Sequence, residues 1–327
     1  MDATVLIATY NRAPILGEAV DAVLGQQMAP GVHWELLIVD NNSRDDTRAV
    51  VERYVNASAV PVRYLFEGRQ GKSCALNSGL GQARGAVVAF TDDDVLVQPD
   101  WLARALRMLE RWGADGGGGR ILPRWEMPPP SWLATNQRLR GNLALMEADT
   151  EEVLQYPLSG PARIWGANMV FRRSIFDHVG LFNVELGPSG KRPVNFEDLE
   201  MVERVLRNGR KVVYDPALIV YHRIPSERMR MRYFRRWAFA TGRAAAVRGT
   251  TDLGRLPLFG RPFWLYHETA RLLGEWLIAA LLRRPRALER QLDFLNKAGC
   301  LWWFREVAGR ARSNRGGIAS ADRTPKT

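Results

Sequence analysis

"GAVVAFTDDD", residues 85–94, is an apolar, β-branched run that ends in three consecutive aspartates. The run reads as a buried strand. Like charges side by side repel, and a carboxylate removed from water is costly unless something compensates it. A cation would do so, and so would a turn that returns the carboxylates to water. "TVLIAT" (4–9), "WELLIVDN" (34–41) and "VRYLFE" (62–67) are further strand-like runs, each followed by a segment of helical pattern. Another helix is expected after Pro99. Strands alternating with helices at this spacing predict an α/β fold, a mostly parallel Rossmann-like sheet with flanking helices. Ligands bind such sheets beyond the carboxyl ends of the strands. Thr9, Asp40, Glu67 and Asp92 to Asp94 all sit at strand ends, so they are expected to converge on one crevice.

The chain has 327 residues, of which 46% are hydrophobic, enough for one large core or two modest ones. Lys and Arg number 46 against 35 Asp and Glu, a net charge of +11 that favours anionic partners. Two cysteines, Cys74 and Cys300, make neither a disulfide framework nor a zinc ligand set, and they suit a reducing compartment. The opening "MDATVLIATYNR" lacks a basic segment followed by a long apolar one, so no signal peptide is expected.

The second half is less regular. "GGGGRILPRWEMPPPSWL" (116–133) reads as a strand, a loop and a candidate lid, with the Gly run as a flexible turn. Residues 166–180 read as a strand and then a helix, and 195–209 as an amphipathic helix stopped by Gly209. Residues 211–224 read as two short strands broken at Asp215-Pro216. Beyond 225 the chain becomes basic with interleaved aromatics. Residues 263–282 are long and apolar, but His267, Arg271 and Glu275 form a polar stripe beside Glu268, which argues against a lipid-spanning helix. A second helix is expected at 286–308, and the polar residues 311–327 read as a disordered tail. The expected organisation is a catalytic domain over 1–225, a basic amphipathic helical region over 226–310 that associates with a membrane surface, and the tail.

Several residues are candidates for chemistry. Asp92 and Asp94, with Asp93 between them, place alternate carboxylates on one side of an extended segment. Such oxygen ligands suit Mg²⁺ or Mn²⁺. A solvated Asp-rich turn is the alternative. Asp198 stands with Glu197 in the first turn of a helix, where the dipole favours a carboxylate that can take a proton from a hydroxyl. Acids in a first turn are also common caps. His222 follows a strand, where packing explains it as well as ligation does. Asp40 can accept from a nucleobase N–H or merely form a turn. "GRQGKS" (68–73) lacks the first Gly of a P-loop, and "HETAR" (267–271) lacks the second His of a zinc protease motif. The "RYFRRW" cluster (232–237) sits in no recognisable nucleic-acid module, so nucleic acid is not an expected partner.

Taken in order, "VLIATYNR", "ELLIVDNNSRDDT", "GKSCALNSG", "GAVVAFTDDDVLVQPDWL", "GANMVFRRSIFDHVGLFN", "FEDLEMVERVLRNGRKVVYDP" and "VYHR" resemble a family 2 glycosyltransferase of the GT-A fold, over roughly the first 225 residues. The resemblance implies a nucleotide-sugar donor, Mn²⁺ or Mg²⁺, and an inverting transfer. It implies that Thr9, Asn11 and Asp40 bind the nucleoside, and that Asp92 and Asp94, with Asp93 between them, hold the ribose and the metal-bound diphosphate. It makes Asp198 of "FEDLE", beside Glu197, the general base. His222 matches a metal ligand of some GT-A enzymes, and Gly166, Ala167 and Asn168 match a sugar and acceptor wall. Leu76 stands where many relatives carry Arg, which leaves Lys72 for a phosphate or base contact. Tyr233 replaces the Gln of the motif that marks processive synthases.

The expected function is therefore transfer of a sugar to a hydroxyl acceptor, a glycan, lipid-linked glycan or other cell-envelope acceptor. The expected location is cytoplasmic, peripheral on the inner face of the membrane. The alternative is a catalytically silent GT-A scaffold at a membrane-associated polysaccharide assembly.

Overall fold

The computed structural model describes residues 1–189, 192–193, 196–247, 257–258, 261–284 and 286–318. The chain divides into two compact units, Met1–Arg230 and Met231–Thr327.

The first unit opens with the expected alternation. β1 (Ala3–Thr9), α1 (Ala13–Leu24), β2 (Trp34–Asp40), α2 (Thr47–Ala57), β3 (Val62–Phe66), α3 (Lys72–Gln82), β4 (Val87–Asp92), β5 (Val95–Val97) and α4 (Trp101–Trp112) follow in turn. β6 (Gly116–Trp125), the short helices α5 (Ser131–Ala134) and α6 (Gln137–Gly141), β7 (Glu152–Leu154), β8 (Met169–Arg172) and α7 (Ile175–Val179) come next. A small ribbon pairs β9 (Pro188–Ser189) with β10 (Arg192–Pro193), and α8 (Glu197–Arg207) and β11 (Val212–Ile224) complete the unit. One sheet runs β3-β2-β1-β4-β8-β6-β11-β5, with β7 also on β11. β3, β2, β1 and β4 are mutually parallel, while β8 pairs antiparallel with both β4 and β6. Leu36, Leu37 and Ile38 are consecutive and all buried, as are Val5, Leu6 and Ile7, so helices cover both faces of the central strands. The chain leaves β1 toward β2 on one side and returns to β4 on the other. That reversal opens a crevice beyond Thr9 and Asp92.

Two features differ from the sequence reading. Gly116 to Gly119 are no flexible turn: they begin β6, inside the sheet. A Cβ at Gly116 would lie 2.0 Å from the Phe171 ring, and at Gly118 2.3 Å from the Asn168 carbonyl. The run permits close approach of neighbours to the backbone. Likewise 212–224 is one strand, because the irregularity at Asp215-Pro216 is absorbed as a register shift against β6 between Asp215 and Ile219.

The second unit contains α9 (Met231–Val247), α10 (Phe263–Leu281) and α11 (Ala287–Ile318). α9 and α11 meet at glycines: a Cβ on Gly242 would lie 1.7 Å from the Asn296 carbonyl, and one on Gly299 2.0 Å from that of Phe239. The polar stripe of α10 faces α11, with Glu275 3.0 Å from Arg290 and Glu268 3.1 Å from Lys297. Leu277, Ile278, Leu281 and Leu282 are left exposed at the end of α10. α11 continues to Ile318, past the expected start of the tail. The tail beyond 318 lies outside the described residues. Among the described residues, no helix is long and apolar enough to cross a membrane.

Candidate active site

The crevice floor is stitched between the ends of β1 and β2. Asn11 adopts a left-handed φ of 51°, and its Oδ1 accepts from the Arg44 N–H at 2.8 Å while its own N–H donates to Ser43 Oγ at 2.9 Å. Asn tolerates this backbone region better than most residues. Buried Asp40 accepts from the Ser43 N–H at 2.9 Å and from the Tyr64 hydroxyl at 2.8 Å. Each carboxylate oxygen retains lone-pair capacity for a further donor. Glu67 takes a local role instead. It binds Arg69 and Ser78, which hold its carboxyl down at about 2, and so orders the loop leading to α3.

The three aspartates from the end of β4 to the start of β5 turn to three different partners. Asp92 accepts from Lys72 Nζ at 2.5 Å. Asp93 accepts from the Thr9 hydroxyl at 2.7 Å, with Arg12 Nε at 4.0 Å. Burial and then the neighbouring Asp94 charge push its carboxyl up to about 7. Asp94 has His222 Nε2 at 3.5 Å, Arg228 Nη2 at 3.3 Å and Arg12 Nη2 at 3.9 Å. Burial opposes its charge, but the guanidiniums of Arg228 and Arg12 outweigh burial and hold it well below the usual carboxylate range. Asp92 and Asp94 thus engage different partners rather than sharing one.

Lys72 opens α3 and reaches both sides of the crevice. Its Nζ also stands 3.7 Å from Glu197 Oε1 at the start of α8. Burial disfavours its charge, but Asp92, Glu197 and Asp198 outweigh that and raise its pKa. Phe196 enters α8 with φ 77°, a left-handed conformation that costs of order 1 kcal/mol or more in a bulky residue. Asp198 then accepts from the Gly166 N–H at 2.8 Å and from its neighbour Leu199 at 2.7 Å. Burial raises the Asp198 carboxyl, opposed by Gly166 and Lys72. Glu197 is pushed up to about 7 by burial and then by the Asp198 charge. Gly166 lines this pocket, since a Cβ there would lie 3.5 Å from Lys72 Nζ and 3.6 Å from Asp198 Oδ2.

Asn168 departs from the expected substrate wall. It is wholly buried, its Oδ1 accepts from Trp101 Nε1 at 2.8 Å, and its Nδ2 donates to the carbonyls of Arg120 and Leu218 at 2.9 and 2.8 Å. Both amide N–H groups and the oxygen are spent inside the fold, so it braces β6, β11 and α4. Two residues that face the aspartates escaped the sequence reading. Arg12 ends the "ATYNR" run without a motif of its own, and Arg228 lies in the basic stretch expected to associate with a membrane surface.

His222 Nδ1 is 3.0 Å from the Leu143 carbonyl, so Nδ1 donates and Nε2 carries the lone pair in the neutral ring. An Asp94 oxygen and this nitrogen face each other, with a guanidinium already beside both. This oxygen and nitrogen pair fits a Mn²⁺ or Mg²⁺ ion that keeps water or phosphate oxygens in its remaining positions. Among the described residues, no group of three or more His, Cys, Asp and Glu side chains is arranged to hold a metal.

A family model described as Glycosyl transferase family 2 matches residues 4–180. Glycosyltransferase AglE of Haloferax volcanii is 31% identical over 118 residues, which cover 36% of this chain and only 38% of AglE. A glucosyl-dolichyl phosphate glucuronosyltransferase of the same organism is 25% identical over 228 residues, 68% of this chain and 70% of that protein. The mannosyltransferase PcManGT from Pyrobaculum calidifontis, solved in complex with GDP-Man and Mn²⁺, has a TM-score of 0.60 at 20% identity, over 92% of this chain and 87% of its own. That likeness is one of fold, the GT-A type.

Proposed function

The chain belongs to glycosyltransferase family 2, and on that premise we propose that it moves a sugar from a nucleotide-diphosphate donor to a hydroxyl of a cell-envelope glycan or lipid-linked acceptor, with inversion. The observation that carries this reading is the acid pair of buried Glu197 and half-buried Asp198 on α8, joined through Lys72 to Asp92 at the end of β4. It puts a proton acceptor next to the place where strand ends receive a ligand.

In this reading Asp40, Asn11 and Thr9 hold the nucleoside, with Asp40 accepting from the base. Asp92 and Asp93 face the ribose and diphosphate. Asp94 and His222 would hold the divalent ion, which when bound offsets negative charge on the leaving diphosphate. Asp198 takes the proton of the acceptor hydroxyl at its carboxylate. The Gly166 and Leu199 N–H groups fix that carboxylate in place, and burial makes it a stronger base than an exposed aspartate. Lys72 keeps the acidic wall from repelling itself before substrate arrives. Inversion follows from direct attack by the acceptor opposite the leaving group, through an oxocarbenium-like transition state.

The second unit supports a membrane-surface site. Leu277, Ile278, Leu281 and Leu282 are exposed beside Arg283 and Arg284, a pairing that suits an interface with anionic lipid. A lipid-carried acceptor gives such a surface a purpose. The glucuronosyltransferase relative is named for glucosyl-dolichyl phosphate.

Calorimetry with UDP, GDP, CDP and TDP, with and without Mn²⁺, tests the donor crevice. Binding of one base, strengthened by Mn²⁺, is expected. A folded protein that binds none of them would leave the scaffold alternative.

A further inference from the structure

Arg228 lies on the turn Ser226–Met229, just after β11, in the stretch whose composition suggests an outward, anion-seeking surface. Its guanidinium points the other way. Nη1 lies 3.0 Å from His222 Nε2, and Nη2 lies 3.3 Å from Asp94 Oδ2. His222 Nδ1 is committed to the Leu143 carbonyl, so the neutral ring has one lone pair, on Nε2. That lone pair accepts an N–H from Arg228 or binds a metal ion, and it does not do both at once.

We propose that Arg228 is the resident counter-cation of the ion pocket, a guanidinium that a divalent ion must displace from His222 and Asp94. The inference rests on the metal site of the proposed function and adds a regulatory consequence to it. With Arg228 seated, the buried carboxylate of Asp94 is already compensated and the fold stands without an ion. An incoming ion must break the Arg228 contacts before it gains its own, so metal alone binds weakly. A nucleoside diphosphate adds anionic oxygens that serve both the ion and the freed guanidinium. Metal and donor therefore enter cooperatively, and each strengthens the other by the same factor. The Arg228 side chain is 24% exposed, which leaves it a path out of the pocket.

The test is Mn²⁺ binding to the full chain, followed by electron paramagnetic resonance of free Mn²⁺ without nucleotide. Wild type is compared with Arg228→Gln and Arg228→Lys. Arg228→Gln should bind Mn²⁺ at least about tenfold more tightly than wild type, and addition of the tightest-binding nucleoside diphosphate should strengthen its metal binding less than in wild type. Arg228→Lys keeps a cation at the pocket and guards against misfolding of the uncharged variant; it should stay within about threefold of wild type. Equal or weaker Mn²⁺ binding by folded Arg228→Gln overturns the inference while leaving the ion site in place. If no protein binds Mn²⁺ even with nucleotide, the ion site itself falls, and the inference falls with it.

Discussion

The Lys72 ammonium lies 2.5 Å from the Asp92 carboxylate, although one opens a helix and the other ends a strand. The contact ties the two sides of the crevice together, because the same ammonium faces Glu197 at 3.7 Å. Three acids from two elements, Asp92, Glu197 and Asp198, thereby share one cation. The repulsion that the run of aspartates seemed to demand an external cation for is largely met by the chain itself. Lys72, Arg12 and Arg228 each face one or more of the carboxylates, and Asp93 is held toward its protonated form.

Replacing Lys72 with Met keeps the bulk and removes the charge. Half-buried carboxylates left without their partner destabilise a fold by about 2 kcal/mol. Denaturant unfolding of metal-free Lys72→Met should show a loss of that size, with donor binding weakened as well. A loss below about 1 kcal/mol would mean that the acids relax into water without it.

Asn168 is buried and spends its side-chain amide on Trp101, Arg120 and Leu218. Asn168→Ala removes three buried hydrogen bonds, at about 1 kcal/mol each, for an expected destabilisation of about 3 kcal/mol. Donor KM should stay within about twofold at temperatures where the variant is folded. A large rise in KM with unchanged stability would return Asn168 to the substrate wall.

Glu197 gives a stability signal with a defined sign. Burial and the neighbouring Asp198 charge push its folded carboxyl up to about 7, above the ordinary 4.5. The folded state therefore binds the proton more tightly, and the stabilisation it brings is full below pH 4.5 and is lost as pH rises through 7. Glu197→Gln is neutral throughout, so its unfolding free energy should fall less between pH 5 and pH 8 than that of wild type, by on the order of 2 kcal/mol. Parallel pH profiles would place Glu197 in an ordinary ionised state.

The exposed apolar end of α10 should carry membrane affinity. Sedimentation with vesicles containing anionic lipid should capture the wild type. Leu281→Asp combined with Leu282→Asp should reduce capture by about tenfold, the scale of a few buried methylenes. Equal capture of both proteins would assign the interaction to the Arg residues alone.

Much of the fold was legible in the sequence because it rests on local pattern. β1 to β4 and the helices after them are apolar runs with clear periods, and their order sets the sheet and its crevice. What sequence did not carry was partner choice across distance. The Gly116 to Gly119 run looked like a loop, because composition cannot show that Phe171 and the Asn168 carbonyl pack against it. Asp215-Pro216 looked like a break, because a register shift absorbed by one neighbour leaves no local mark. Asn168 looked like a contact residue because its motif neighbours Gly166, and only the bonds to Trp101, Arg120 and Leu218 turn it inward. Arg228 was one Arg among many until His222 and Asp94 stood beside it.

Asp198→Asn removes the proposed base alone. The variant keeps the side-chain volume and the oxygen that accepts from the Gly166 N–H, and it removes the base. With donor and acceptor in hand, kcat should fall by at least about a thousandfold, while calorimetric donor affinity stays within about threefold of wild type. Turnover near the wild-type rate would contradict the role of Asp198 as the base.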